Sequence, residues 1–433
     1  MNGRAARSAI SLGLNLRALG TQIDPVSKET RTRIWWSIFS LEHLLAGMTG
    51  RSASMDHQCM SLHPPVPEEY DGQDFDHPGV QELLQSPSLR EERLQWTIWA
   101  SDAQLHARKQ WFQTLTPSPS LYFFHHVDLS LITHAALSAV YSLTASRDRE
   151  TTQSCIRQYQ EKLNTWLATL LPPFAFDHSH PPASSACPGQ ISLALAYYSS
   201  QTILTRPGLM RPEPRRSTST NTRFANDTAE TCVYSSIALI SILPDTPSTH
   251  WMLTRTPWWS ILHFIMQALT VLLLQLSISP FNFKIPVNLT ADSDTDPPGK
   301  HVQGNNNEPI LSASKKALLW LHHLARDSPS ASRAFDLSAG FLRRIGEAKG
   351  LDLHGIPIPI PTPSGSLAGS PRLDRPRHIH RNSHTSSEGG YAEDSTEMNW
   401  GADCTSSEWE YEQGHEAWMQ QPPFLWEPAL FLV

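Results

Sequence analysis

Apolar residues along this chain recur at helical spacing, and nowhere do they settle into the alternation of a half-buried strand. In Arg31 to Arg51, RTRIWWSIFSLEHLLAGMTGR, Ile34, Ile38, Leu41 and Leu45 share one stripe at 3.6 residues per turn. Trp35 and Phe39 lie beside it, and Thr32, Ser37, Ser40 and His43 fall mostly elsewhere. This predicts an amphipathic helix over 27–47, with Asp24-Pro25 as a turn before it and Ser27 as N-cap. Gly47 or Gly50 can end it in the left-handed conformation. Further helices are predicted over 1–20, 82–116, 130–146, 152–171, 191–205, 225–243, 315–327 and 331–349, with another opening at Pro257-Trp258-Trp259. Pro207 biases Arg206 away from helix and ends the 191–205 element. Loops are expected over 61–78 and 174–188, and a disordered polar segment over 286–309. The fold class is therefore all-α, a large irregular helical bundle with long loops and a disordered C-terminal tail.

Two stretches depart from an ordinary amphipathic pattern. Ser260 to Ser279, SILHFIMQALTVLLLQLSIS, has the length of a membrane span. His263, Gln267 and Thr270 gather on one side, however, which suits a buried helix with a narrow polar face, so no membrane is expected. Beyond residue 353 the pattern changes. Ile356 to Pro363 is a Pro-Ile tract suited to extended geometry, and Arg372 to Arg381 is a small basic cluster. After Arg381 there is no Lys or Arg, while acids alternate with the aromatics Trp409, Tyr411, Trp418, Phe424 and Trp426. Such a segment cannot bury enough to order itself, but it suits a tail that folds onto partners, and it is a candidate activation segment.

Composition narrows the picture. The 433 residues carry a net charge of −7, which leaves no general basic footprint for nucleic acid. The five cysteines, Cys59, Cys155, Cys187, Cys232 and Cys404, are scattered and read as reduced thiols, with neither a disulfide framework nor a zinc site. The acid-free N-terminus has too broken an apolar run for a secretory signal.

The double tryptophan is costly as mere core, because each indole N–H needs a partner. Together with Leu12-Gly13-Leu14 upstream, then Arg33, Trp35, Trp36, Glu42, Gly50 and Arg51, and Pro65 and Pro67 downstream, it resembles the fungal-specific transcription factor domain. That domain is the middle homology region of fungal zinc-cluster regulators. Glu42 stands where the family usually has Asp, and Ser52 where it has Pro. Later pieces extend the resemblance: LALAYYSSQTILTRP, a helix bearing Cys232, TPWWSILHFIMQALTVLLLQLS with Trp258 and Trp259, KKALLWLHHLAR, and AFDLSAGFLRRIGEAKGLDL. The reading is then a regulatory domain over 1–353 followed by a Pro-rich and acidic-aromatic tail over 354–433.

The resemblance implies a nuclear transcription regulator that works through a small-molecule effector, co-regulators or the transcription machinery, with a homodimer among the arrangements. DNA and zinc are implied by the family rather than by residues present, zinc being expected only in an N-terminal module that this sequence lacks. The signature residues Arg33, Trp35, Trp36, Glu42, Gly50, Arg51, Trp258 and Trp259 are read as structural, with Trp36 or Arg51 the candidates to reach a regulatory pocket. The alternative is a helical scaffold or sensor without its own DNA contact.

No chemistry-bearing motif competes. The pairs His125-His126 and His322-His323 diverge by about 100° on a helix and cannot chelate together. His378, His380 and His384 read as a solvated basic tract. There is no nucleophile elbow, phosphate loop or dinucleotide fingerprint. The basic cluster of Arg206, Arg211, Arg215 and Arg216 reads as loop arginines. An enzyme is not expected.

Overall fold

A computed structural model describes residues 2–18, 23–51, 53–55, 61–68, 78–141, 149–209, 219–278 and 307–357. The described residues form thirteen α-helices and no strand; an isolated bridge joins Asp177 to His180. In chain order the first seven are α1 (Asn2–Ser11), α2 (Pro25–Thr49), α3 (Pro78–Gln85), α4 (Pro87–Arg93), α5 (Asp102–Phe112), α6 (Pro119–Tyr141) and α7 (Arg149–Thr169). The rest are α8 (Pro188–Thr205), α9 (Ser219–Ile242), α10 (Thr249–Arg255), α11 (Trp258–Ser277), α12 (Glu308–Leu324) and α13 (Pro329–Lys349). The all-α class read from the sequence is the class observed. The acidic-aromatic tail and Arg211, Arg215 and Arg216 lie outside the described residues.

Helix starts are written by caps that periodicity cannot register. The N-cap of α2 is Asp24 rather than Ser27: its carboxylate accepts from the Ser27 N–H at 2.8 Å and the Ser27 hydroxyl at 2.6 Å, and Pro25 occupies the first turn. Both hydrogen bonds hold the Asp24 carboxyl below the usual carboxylate range. At the other end Gly50 takes φ 64°, so that its N–H and that of Arg51 close on the Ala46 carbonyl. The expected single helix over 82–116 is three shorter ones. Ser86-Pro87 starts α4, and a capping box of Ser101 with Gln104 starts α5. A proline also opens α6 at Pro119, so that helix begins eleven residues before the expected Ser130. The helix α10 was missed, and Pro309, expected in a disordered segment, sits in the first turn of α12. Pro207 does not release Arg206 from helical geometry: Arg206 stays at φ −51° and a 3-10 turn, Arg206–Leu209, carries the chain on.

Two regions of packing follow. In the C-terminal half α9 packs on α8, α11 and α12, and α13 covers α11 and α12. Ile265, Ala268, Leu269 and Leu272 of α11 are wholly buried there against residues such as Leu195, Ile240 and Leu318. Each large apolar side chain so enclosed contributes about 1.5–3 kcal/mol. By length and composition α11 could cross a membrane, and 61% of that apolar window is buried inside the fold. Its polar stripe has a partner: the Gln267 amide accepts from the Ser199 hydroxyl at 2.7 Å and donates to the Ser199 carbonyl at 2.9 Å. The long loop before α8 is tied by side chains of three helices. The Tyr198 and Tyr234 hydroxyls each donate to the His178 carbonyl at 3.0 Å, and the Trp251 indole donates to the Ser184 carbonyl at 2.7 Å. The N-terminal half is built differently, around α2, α6 and α7, with far more charge inside.

Candidate functional site

The sequence singles out α2, and the structure shows what its side chains grip. Arg33 lies on the face toward residues 61–68, a proline-containing segment with no helix of its own. Its guanidinium donates to the carbonyls of Val66 at 3.0 Å and Glu68 at 2.6 Å, to the Ser120 hydroxyl at 3.0 Å, and to Glu29 at 3.0 Å one turn back. Glu29 is 2% exposed and answers from the other side, accepting the Val66 N–H at 2.9 Å. Arg90 of α4 completes the set, pairing with Glu29 at 2.5 Å and donating through two nitrogens to the Pro64 carbonyl. A buried carboxylate, the buried Arg90 guanidinium, the partly exposed Arg33 guanidinium and a loop backbone thus satisfy one another, which is the condition for burying charge without a large penalty.

Trp36 adds the next contact. Its indole N–H donates to the His63 carbonyl at 2.9 Å, so the polar handle that a buried tryptophan must satisfy is spent on the same segment. Crowding by the protein and the nearby Arg90 and Arg17 push His63 down to about 4, so its imidazole is neutral at pH 7. The Trp36 ring meets Phe39 and Trp96 edge-on at 5.3 and 5.0 Å, and Trp96 stacks on Phe124 at 5.1 Å. That aromatic path leads to a second buried pair. Arg108 of α5 sits over Phe124 and reaches Asp128 of α6 at 3.2 Å, while Thr97 donates to Asp128 by its N–H at 2.8 Å and its hydroxyl at 2.6 Å. Burial raises the Asp128 carboxyl and lowers the Arg108 guanidinium; their contact acts against both shifts, and the Thr97 donors act against that of Asp128.

The remaining signature residues are placed as follows. Trp35 is 1% exposed in the core beside Trp36. Glu42 holds the short stretch 53–55, accepting from the Ser54 N–H at 3.1 Å and the Ser54 hydroxyl at 2.5 Å. Gly50 terminates α2, and Arg51 follows it on the surface. Trp36 is fully enclosed. Trp258 and Trp259 stand apart from this group at the start of α11, 47% and 37% exposed. So the structure gathers Arg33, Trp36 and Glu42 onto loop segments beside α2 and leaves the second tryptophan pair elsewhere. Glu29, Arg90, Arg108 and Asp128 went unread in the sequence. Glu29 to Arg33 is an i, i+4 acid–base pair and was a usable signal, whereas the partners at 90 and 128 are set only by the fold.

The arrangement offers positioning rather than reaction chemistry. Among the described residues, no group of three or more His, Cys, Asp or Glu is placed to hold a metal ion. His125 and His126 are enclosed on α6, and burial lowers them to about 3 and about 4. Burial likewise pushes the Cys232 thiol up to about 12, which leaves it protonated and inert at neutral pH.

One comparison with known proteins falls on the same part of the chain, and another runs well beyond it. Residues 1–168, which span α1 to α7 and the whole α2 network, match the family described as fungal specific transcription factor domain. Over 381 residues the chain is 38% identical to the transcription regulator galc of Aspergillus niger, covering 82% of this chain and 44% of that protein. It is also similar, 35% identical over 68 residues, to an uncharacterized transcriptional regulatory protein of Schizosaccharomyces pombe, covering 16% of this chain and 9% of that protein. The thiamine repressible genes regulatory protein thi1 of the same yeast is 31% identical over 84 residues, 19% of this chain and 10% of that protein. The chain thus spans less than half the length of these relatives. No solved structure matches it.

Proposed function

From a chain that carries the fungal specific transcription factor domain over residues 1–168, we propose a regulatory region of a fungal transcription regulator that acts in the nucleus. The observation that carries this reading is a coincidence of place. The stretch matched by the family is the stretch in which α2 binds a loop through Glu29, Arg33, Trp36 and Arg90. In this reading the double-tryptophan helix is the frame that fixes the geometry of the domain, and Arg33, Trp35, Trp36, Glu42 and Gly50 are structural. Arg51, just past the end of α2, is a signature residue on the surface and so able to meet a co-regulator. DNA, co-regulators and the transcription machinery are partners of the regulator as a whole, and an effector acts by changing those contacts. Trp409, Tyr411, Trp418, Phe424 and Trp426 are assigned to an activation segment.

Two experiments test this. The chain fused to a fluorescent protein should accumulate in nuclei of a filamentous fungus; exclusion from nuclei, or recovery in the membrane fraction, overturns the localisation. Residues 382–433 fused to a heterologous DNA-binding domain should raise transcription of a reporter, and replacing the five aromatics by alanine should abolish the rise. No output from the intact segment removes the activation assignment.

A further inference from the structure

The outer face of α13 carries what a water-facing helix does not need. Leu337 and Phe341 stand one turn apart and are 68% and 56% exposed. Gly340 lies between them on the same face, in mid-helix, where glycine costs stability relative to alanine. Nothing in this fold asks for that glycine: a Cβ built there meets nothing within 4 Å. The inward residues Phe335, Ala339 and Leu342 are buried, so this helix already has its core contact and the glycine is on the other side. A bare helix backbone flanked by two large apolar side chains is a notch into which another helix can settle closely.

The charges on the face say which helix. Asp336 precedes Gly340 by four positions and Arg344 follows it by four; Arg333 precedes it by seven and Glu347 follows it by seven. Among the described residues no ion pair engages any of these four, though the Arg344 guanidinium lies over the Phe341 ring at 5.7 Å. A helix laid antiparallel about a two-fold axis at Gly340 pairs position 340 − k with 340 + k. That operation sets Arg344 against Asp336 of the second copy and Arg333 against Glu347 of the second copy, twice each. A face complementary to itself under a two-fold rotation is the signature of an isologous interface.

We propose that two copies of this chain associate through antiparallel α13 helices crossing at Gly340, with Leu337 and Phe341 as the apolar centre. One helix face buries less than the ~800 Å² per partner of a standard interface, so the dimer is a weak, concentration-dependent one. This inference is independent of the proposed function and stands on α13 alone.

Sedimentation velocity of the full chain across a dilution series tests it. A monomer–dimer equilibrium is expected, and Phe341→Glu should lower the association constant at least tenfold with helical content unchanged. Gly340→Ala separates this account from a merely tolerated glycine, because its two readouts move in opposite directions. The melting temperature of the dilute monomer rises, while association weakens as the new methyl group props the helices apart. Asp336→Arg and Arg344→Asp should each weaken association, and the double variant should restore it. A chain that is monomeric at every concentration overturns the proposal. So does a dimer indifferent to both Phe341→Glu and Gly340→Ala.

Discussion

The two halves of the molecule hold themselves together by different means. Around α8, α9 and α11 the interior is apolar, with hydroxyls and amides paired locally as in Ser199 and Gln267. Around α2, α5 and α6 it contains whole ions: Glu29 with Arg33 and Arg90, and Asp128 with Arg108. An apolar interior loses stability in proportion to what is cut away, and it recovers if similar volume is restored. A buried ion network is all-or-none, because removing one member strands the opposite charge in a place that water cannot reach. The apolar C-terminal half should be tolerant of substitution and the charged N-terminal half brittle. The brittle half is also the one matched to the transcription factor family, residues 1–168.

Breaking the second pair should have the largest effect. Asp128→Ala leaves Arg108 buried without its anion and should cost about 3–5 kcal/mol in urea unfolding. Replacing both, as Arg108→Met with Asp128→Leu, should cost clearly less than that single change; equal losses would mean that the charges are not what makes this half brittle. Leu272→Ala in α11 removes apolar volume and should cost about 3 kcal/mol, and Leu272→Met should recover most of it. Trp36→Phe keeps the ring in the core but removes the donor to the His63 carbonyl. It should cost about 2 kcal/mol, with limited proteolysis reporting faster cleavage within 61–68.

Both halves contribute to the pH dependence, because burial also lowers His178 before α8 and His263 of α11. Burial pushes His125 down to about 3 and His126 and His63 to about 4, whereas the unfolded chain titrates near the ordinary 6.5. Between those values the unfolded state binds protons that the folded state refuses, so stability rises with pH across that window. The urea midpoint should therefore be flat above about pH 7 and fall as the pH drops from 6.5 toward 4. His125→Phe should flatten part of that slope; an unchanged slope would place the titration elsewhere.

The same contrast explains what could be read in advance. The apolar half was legible because burial of helix faces leaves a 3.6-residue period: 191–205, 225–243 and the Pro257-Trp258-Trp259 helix were all found near their observed places. The polar half was legible as a helix and as a resemblance, but not as a mechanism of holding. Trp36 needed an acceptor, yet nothing in the sequence says that the acceptor is the His63 carbonyl. Arg90 and Asp128 look like surface charges until the fold brings them to Glu29 and Arg108. The boundaries over 82–116 were lost for a related reason. Ser86 restarts the chain through one side-chain hydrogen bond and Ser101 through its capping box with Gln104, local contacts that an average over apolar positions smooths away. Leu337, Gly340 and Phe341 carried the opposite deception: they share the helical period of a core helix, but they are the part of α13 that the core does not cover.

The most direct test of the account joins the chain to a heterologous DNA-binding domain in a fungal reporter strain and measures reporter transcription. A regulatory region held by the α2 network should change that transcription, and Glu29→Ala, which removes the carboxylate shared by Arg33 and Arg90 and the acceptor of the Val66 N–H, should alter the response. A tethered chain that is folded and nuclear, yet leaves the reporter as the DNA-binding domain alone leaves it, would contradict the account.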